Sequence, residues 1–142
     1  MRTEEYLNKI QRYEYVIGNK LDEINRLRDM CMSISVSTDK ENVKSSPNQD
    51  KLADAIAKIV DLERETDELV DGLISERRRI INQIDAIGNT TYYRVLTCRY
   101  VKGMKIKQIA KETDYAEAYV KELIRNAIVF FEKIYGDTYL SY

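Results

Sequence analysis

The chain has 142 residues, of which 44% are hydrophobic and 33% are charged, and it contains only five glycines and one proline. Because these two helix-breaking residues are scarce, the composition favours an all-α protein with long exposed helices. The sequence has no histidine, which excludes histidine acid–base catalysis, histidine metal ligands and cysteine–histidine nucleophile pairs. Its two cysteines lack metal-ligating neighbours, so we expect free thiols in a reducing cytoplasm. We expect neither a signal peptide nor a membrane span.

Residues 1–33 are predicted to form the first long helix. Apolar and half-apolar side chains recur there at alternating steps of four and three, which is the spacing of a heptad seam. The seam consists of Tyr6, Ile10, Tyr13, Ile17, Ile24, Leu27, Cys31 and Ile34, with Lys20 filling its one polar slot between Ile17 and Ile24. Gly18 lies in the middle of this helix, where glycine costs about 1 kcal/mol relative to alanine. We therefore expect a close approach or a slight bend at Gly18.

Residues 34–50 are serine-rich, contain the only proline and show no sustained period, so they are predicted to form a flexible loop. The second long helix is predicted over 51–88, with Asp50 as its N-cap. Its seam again steps by four and three: Leu52, Ile56, Ile59, Glu63, Thr66, Val70, Leu73, Arg77, Ile80, Ile84, Ile87. The three polar seam residues either set the register and partner number or lie in solvent where the stripe drifts.

A helix running from Leu52 to Ile87 is about 54 Å long at 1.5 Å per residue. Such a helix has no core of its own, so it must pack on the first long helix, on a second copy, or on both. We predict a long antiparallel helical hairpin or coiled coil that serves for oligomerisation, with a homodimer as the expected assembly. The sequence leaves open whether the helices pair within one chain or between two.

Residues 89–136 are predicted to form a compact three-helix unit, followed by a tail at 137–142 that either folds back or frays. The predicted helices span roughly 91–102, 105–113 and 116–135. Gly88 suits the end of the long helix, and Asn89 or Thr90 can cap the next one. Gly103 ends the first helix of the unit, and Asp114 occupies the turn between the second and third. Two helices joined by so short a turn form a helix-turn-helix arrangement.

The charge is distributed unevenly along the chain. Residues 1–89 carry 14 Lys/Arg and 18 Asp/Glu, whereas residues 90–142 carry 9 and 6. The first part is therefore acidic, at −4, and the last part is basic, at +3. A basic segment that coincides with a helix-turn-helix indicates binding to nucleic acid.

The stretch "LTCRYVKGMKIKQIAKETDYAEAYVKELIRNAI" resembles region 4 of the sigma-70 factors, and the layout of the chain is similar to phage-encoded transcriptional regulators of the ArpU/RinA type. The matching residues are Arg99, Tyr100, Ile109, Ala110, Tyr115, Val120, Leu123, Arg125, Asn126, Ala127 and Ile128. The resemblance implies a regulator that reads double-stranded DNA in the cytoplasm of a bacterial host. It also makes RNA polymerase an expected partner.

Carried onto this sequence, the resemblance and the charge pattern assign two sets of DNA contacts. The base-proximal set on the third helix is Tyr119, Lys121, Glu122 and Arg125. The phosphate-contacting set on and beside the second helix is Lys105, Lys107 and Lys111.

The stretch also departs from the region 4 pattern. Asp114 replaces the usual turn glycine. Ala116 replaces the usual Ser/Thr cap, so Asp114 is expected to cap the third helix instead. Glu117 and Glu122 repel phosphate, although a glutamate can accept from a cytosine amino group.

Two other functions fit the same pattern. A helix-turn-helix joined to oligomerising helices also suits a small-terminase-like subunit that recognises DNA for packaging. Alternatively, the acidic residues Glu117 and Glu122 suit a coiled-coil adaptor that no longer binds DNA. The sequence has no glycine-rich phosphate loop, no paired carboxylates in a plausible pocket and no metal-ligand cluster. We therefore expect a protein that is not an enzyme and that has no catalytic residues, metal or cofactor.

Overall fold

The computed structural model describes residues 1–41 and 46–140, and these residues form helices and connecting turns without a strand. The all-α prediction is confirmed. The α-helices are α1 (Thr3–Leu7), α2 (Lys9–Glu41), α3 (Ser46–Asp85), α4 (Thr90–Leu96), α5 (Ile106–Thr113) and α6 (Glu117–Tyr135). A π-helical turn, Thr97–Val101, follows α4 directly, and a 3-10 turn, Gly136–Thr138, follows α6.

The prediction of a loop over residues 34–50 is wrong in its extent. Helix α2 continues to Glu41 and α3 already begins at Ser46, while residues 42–45 lie outside the described part of the chain. Serine and β-branched residues lower helix propensity by only about half a kcal/mol each, so they do not by themselves end a helix. Pro47 falls in the first turn of α3, where its missing N–H group has no partner to lose.

The chain divides into two compact units. The first, here called the terminal unit, consists of Met1–Tyr13 and Leu73–Tyr142. The second, here called the helix-pair unit, consists of Glu14–Gly72. By sequence, the terminal unit carries 15 Lys/Arg and 10 Asp/Glu, a net charge of +5. The helix-pair unit carries 8 and 14, a net charge of −6.

The terminal unit is larger than the three-helix unit predicted at 89–136. Its core combines the start of the chain, the end of α3 and the helix-turn-helix. The buried members are Tyr6, Leu7, Ile10, Ile80, Ile84, Ile87, Val95, Leu96, Cys98, Tyr100, Ile109, Ala110, Val120, Leu123, Ile124, Ala127 and Phe131. The predicted boundary at residue 89 therefore cuts through a continuous core, because Ile80 and Ile84 of α3 and Ile87 just after it belong to that core.

In the helix-pair unit, α2 and α3 of the same chain pack together around a narrow stripe. The buried side chains are Ile24, Leu27, Ala55 and Thr66. Two ion pairs join the helices: Lys20 Nζ lies 3.1 Å from Glu65 Oε2, and Arg28 Nη2 lies 2.6 Å from Glu63 Oε1. The long helices therefore pair within one chain.

The polar residues of the predicted α3 seam have different environments. Thr66 is buried, but its hydroxyl donates to the Leu62 carbonyl of its own helix at 2.6 Å and not to α2. Arg77, which lies in the terminal unit, is exposed. Within the helix-pair unit the stripe drifts, since Ala55 is buried where the heptad predicts Ile56, which is half-exposed.

Gly18 of α2 does not mark a close approach of another segment. A Cβ atom at this position would meet no atom of the described part of the chain within 4 Å. Of the two alternatives expected at Gly18, the close approach is therefore wrong, and the slight bend stays a prediction.

Candidate nucleic-acid interface

The helix-turn-helix consists of α5, residues 114–116 and α6, close to the predicted bounds. Ile109 and Ala110 of α5 are buried with the inward residues of α6. The buried α6 residues are Val120, Leu123, Ile124, Ala127 and Phe131, and Ile128 is half-buried. These spacings are the helical periodicity of one apolar face.

The turn between α5 and α6 is formed as the sequence predicts. Asp114 has φ 61° and ψ 20°, a left-handed conformation that aspartate tolerates better than most residues. Thr113 precedes it and is buried. Its hydroxyl donates to the Ile109 carbonyl at 2.6 Å and accepts from the Tyr115 amide at 3.4 Å. Thr113 thereby connects the end of α5 to the turn, a role that sequence periodicity does not indicate.

Helix α6 starts without a side-chain cap. Ala116 is the N-cap residue, and no side chain bonds to the first amides from that position. The expectation that Asp114 takes over the cap is not met among the hydrogen bonds of the described residues. Glu117 lies in the first turn, where a carboxylate is favoured by the positive end of the helix dipole. This gives Glu117 a stabilising role that is independent of any ligand.

All seven residues predicted to contact DNA are exposed. On α6 these are Tyr119, Lys121, Glu122 and Arg125; at the start of α5 and along it they are Lys105, Lys107 and Lys111. At about 100° per residue, Glu122 and Arg125 point away from the core, whereas Tyr119 and Lys121 lie at opposite edges of the exposed face. The side chains most directly aimed outward are therefore one carboxylate and one guanidinium.

Lys121 and Arg125 meet in an open cleft of about 360 Å³. Arg99 from the π-helical turn also lines this cleft, and Glu4 of α1 supplies its carboxylate. Apolar side chains line it as well, among them Ile106, Ile124, Ile128 and Val129. The structure thus brings Arg99 and Glu4, which are distant in sequence, to the same cleft as Lys121 and Arg125. The sequence did not indicate that Glu4 and Arg99 would join this group.

Tyr119 is held separately from that cleft. Its ring meets the Tyr115 ring edge-on, with centroids 5.1 Å apart and planes at 89°. Edge-to-face packing of this kind orients an aromatic ring. Tyr119 is still half-exposed, so it presents an ordered face at the side of α6 away from Lys121.

The N-terminal segment braces α6 from behind the exposed face. Tyr6 is fully buried, stacks on Tyr139 with centroids 4.1 Å apart, and donates from its hydroxyl to Gln83. Thr3 donates to Glu132 of α6 at 2.8 Å and accepts from the Tyr139 hydroxyl at 2.9 Å. The tail therefore folds back as far as Tyr139, whereas Tyr142 lies outside the described residues.

Burial is the main electrostatic effect in this unit. It raises the pKa of Tyr6, Tyr100 and Tyr139, and it also raises the pKa of the Cys98 thiol. Each of these groups is therefore held in its neutral, protonated form. They contribute packing and hydrogen bonds to the unit and no additional charge.

In the described ranges, no group of three or more Cys, Asp or Glu residues is placed to hold a metal ion. None of the described helices is both long enough and apolar enough to cross a membrane. Comparison of the chain with models of protein families, with curated proteins and with solved structures finds no match.

Proposed function

We propose that the protein is a DNA-binding transcriptional regulator of a phage or mobile element and that α6 reads double-stranded DNA in the major groove. The observation that carries the proposal is the exposed face of α6. It presents Lys121, Glu122 and Arg125 within the first two and a half turns of α6, and α5 of the same helix-turn-helix carries exposed lysines. A helix-turn-helix uses this part of its second helix for base contacts, and its first helix crosses the phosphate backbone.

The chemistry of the exposed residues suits this arrangement. An arginine such as Arg125 can donate to both acceptors of guanine, and a carboxylate such as Glu122 can accept from the cytosine amino group. Lys105, Lys107 and Lys111 supply charge for phosphates, which positions the protein without reading sequence. The net charge of +5 on the terminal unit favours approach to DNA.

The test is binding to duplexes from the region upstream of the protein's own gene, measured by fluorescence anisotropy across a salt series. If six or more phosphates are engaged, affinity should fall about 10³-fold or more between about 50 and 200 mM salt. Lys121→Ala/Arg125→Ala should weaken binding by about tenfold or more. The control Lys58→Ala/Arg64→Ala removes the same charge from exposed positions of the helix-pair unit. Absence of binding at low salt would refute the proposal.

The exposed acidic side chains of α6 favour one competing function, a helical adaptor that contacts protein instead of DNA. Glu117 and Glu122 are both exposed at the start of α6. If the chain is an adaptor, Glu117→Lys/Glu122→Lys should create DNA affinity where the wild type has none. If it is a DNA reader, the same change should alter an affinity that the wild type already possesses.

The homodimer through the long helices and the contact with RNA polymerase also belong to this proposal. The dimer is supported by half-exposed apolar side chains on the helix-pair unit, among them Leu21, Ile56 and Val60. Sedimentation equilibrium that returned the mass of one chain at micromolar concentration would rule out the dimer. Failure of RNA polymerase to retain the protein in a pull-down would rule out that contact.

A further inference from the structure

The direction in which α5 leaves the preceding turn decides where its lysines lie. The π-helical turn ends at Val101, and the next four residues lead to Ile106. Two backbone bonds hold this stretch: Lys102 N donates to the Thr97 carbonyl and Met104 N donates to the Cys98 carbonyl, each at 2.9 Å. Gly103 has φ +69°, the left-handed conformation that lets the chain reverse here.

Gln11, which lies ninety residues earlier in the sequence, closes the end of this π-helical turn. Its Nε2 donates to the Arg99 carbonyl at 2.6 Å and to the Tyr100 carbonyl at 3.3 Å. The last carbonyls of a helix have no donor within the helix and need one from elsewhere. The same side chain lies against the chain reversal at Gly103. Its Cδ is 3.7 Å from the place that a Cβ atom on residue 103 would occupy.

The contact continues from Gln11 toward α5 through Arg99. The backbone carbonyl of Arg99 accepts from Gln11, while its guanidinium donates from Nη1 to the Met104 carbonyl at 3.2 Å. Met104 immediately precedes Lys105, the N-cap residue of α5, whose amide donates to Gln108 Oε1 at 2.9 Å. The side chains of Gln11, Arg99 and Gln108 thus hold the backbone, one after another, from the end of the π-helical turn to the first turn of α5.

We propose that Gln11 is a positioning residue of the DNA interface: by satisfying the Arg99 and Tyr100 carbonyls, it sets the direction of α5 and so the placement of Lys105 and Lys107. The DNA part of this inference rests on the proposed function, whereas the bracing itself does not. The arrangement assigns a role in DNA contact to the N-terminal segment, although Gln11 itself does not contact DNA.

The chemistry of the site specifies which substitutions are informative. Gln11→Glu keeps the shape of the side chain but replaces the donating NH₂ with an oxygen, which then faces two carbonyl oxygens. Gln11→Lys keeps a donor and adds a cation at a helix C-terminus, where positive charge is favoured. Asn19→Asp, at an exposed position of α2 in the helix-pair unit, makes the same amide-to-carboxylate change and serves as the matched control.

Amide hydrogen exchange tests the bracing and DNA binding tests the positioning. Gln11→Glu should speed exchange at the Lys102 and Met104 amides by about tenfold relative to Asn19→Asp. The reason is that the Arg99 and Tyr100 carbonyls at the end of the π-helical turn lose their donor. Gln11→Glu should also weaken DNA binding by about tenfold and make the salt slope shallower by about one. Gln11→Lys keeps a donor, so its amide exchange rates and its DNA binding should stay close to those of the wild type. Circular dichroism identifies any variant that does not fold, and Gln11→Lys then provides the comparison.

Unchanged exchange in Gln11→Glu would overturn the bracing and with it the inference. Faster exchange with the same DNA affinity and salt slope as Asn19→Asp would overturn the positioning role. If the wild type does not bind DNA at all, the proposed function fails, and the exchange rates alone decide whether Gln11 braces the entry to α5.

Discussion

The terminal unit and the helix-pair unit are both helical, but they are stabilised in different ways. The terminal unit encloses large side chains such as Tyr6, Phe131 and Leu96 completely. The helix-pair unit buries only a narrow stripe and leaves apolar side chains such as Tyr15 and Val60 in solvent. A pair of helices has no third element to cover the second side of each helix, so its core stays one side chain wide. The two units should therefore respond differently to substitution.

The largest difference is expected for one pair of tyrosines on the N-terminal helices. Tyr6→Ala removes a fully buried ring that contacts Phe131 and Tyr139, and it should lower the free energy of unfolding by about 3–5 kcal/mol. Tyr15→Ala removes a ring that is 72% exposed and should change this free energy by less than about 0.5 kcal/mol. Urea denaturation measures both, and similar losses for the two variants would contradict the contrast between the units.

The next effect is a loss of stability at high pH, which should act on the terminal unit. Burial raises the pKa of Tyr6, Tyr100 and Tyr139 above 10.0 and that of Cys98 above 9.0. As pH rises, the unfolded chain loses these protons before the folded chain does, so the folded state binds more protons and loses stability. The contribution is fully present below about pH 9 and declines as pH rises through the raised pKa values.

Urea denaturation at about pH 8 and about pH 10.5 gives the measurement. Tyr139→Phe removes one of the titrating hydroxyls and should make the decline shallower. A free energy of unfolding that stays constant over this range would show that these groups titrate alike in the folded and unfolded chain.

The smallest effect should appear in the helix-pair unit and should be stabilising. Gly18 lies inside α2, and among residues 1–41 and 46–140 a Cβ atom there would meet nothing within 4 Å. Gly18→Ala should therefore raise the free energy of unfolding by about 0.5–1 kcal/mol, because alanine loses less backbone entropy in a helix. Ala57→Gly, at an exposed position of α3, makes the reverse change and should lower it by a similar amount. A loss of stability in Gly18→Ala would indicate that the glycine is needed in α2.

The sequence by itself determined the local features of the protein. Helical periodicity and the few helix-breaking residues predicted the helices. Residue chemistry predicted the left-handed turn at Asp114, a helix end at Gly103 and a cap at Asn89 or Thr90. The cap is present, since the Asn89 side chain accepts from the Tyr92 amide at 3.0 Å. These features depend on neighbours within a few residues, which a linear pattern contains. The loop at 34–50 was misjudged because serine and β-branched residues lower helix propensity too little to end a helix by themselves.

Only the tertiary structure decided which distant residues share a site. The sequence predicted that Lys121 and Arg125 are exposed, but not that Arg99 and Glu4 line the same cleft. Nor did it indicate that Gln11 satisfies carbonyls eighty-eight and eighty-nine residues away. Such contacts arise because residues 1–13 pack with residues 73–142 in one unit. Sequence periodicity does not predict these contacts, because Gln11, Arg99 and Glu4 each have the pattern of an ordinary polar residue on a helix surface.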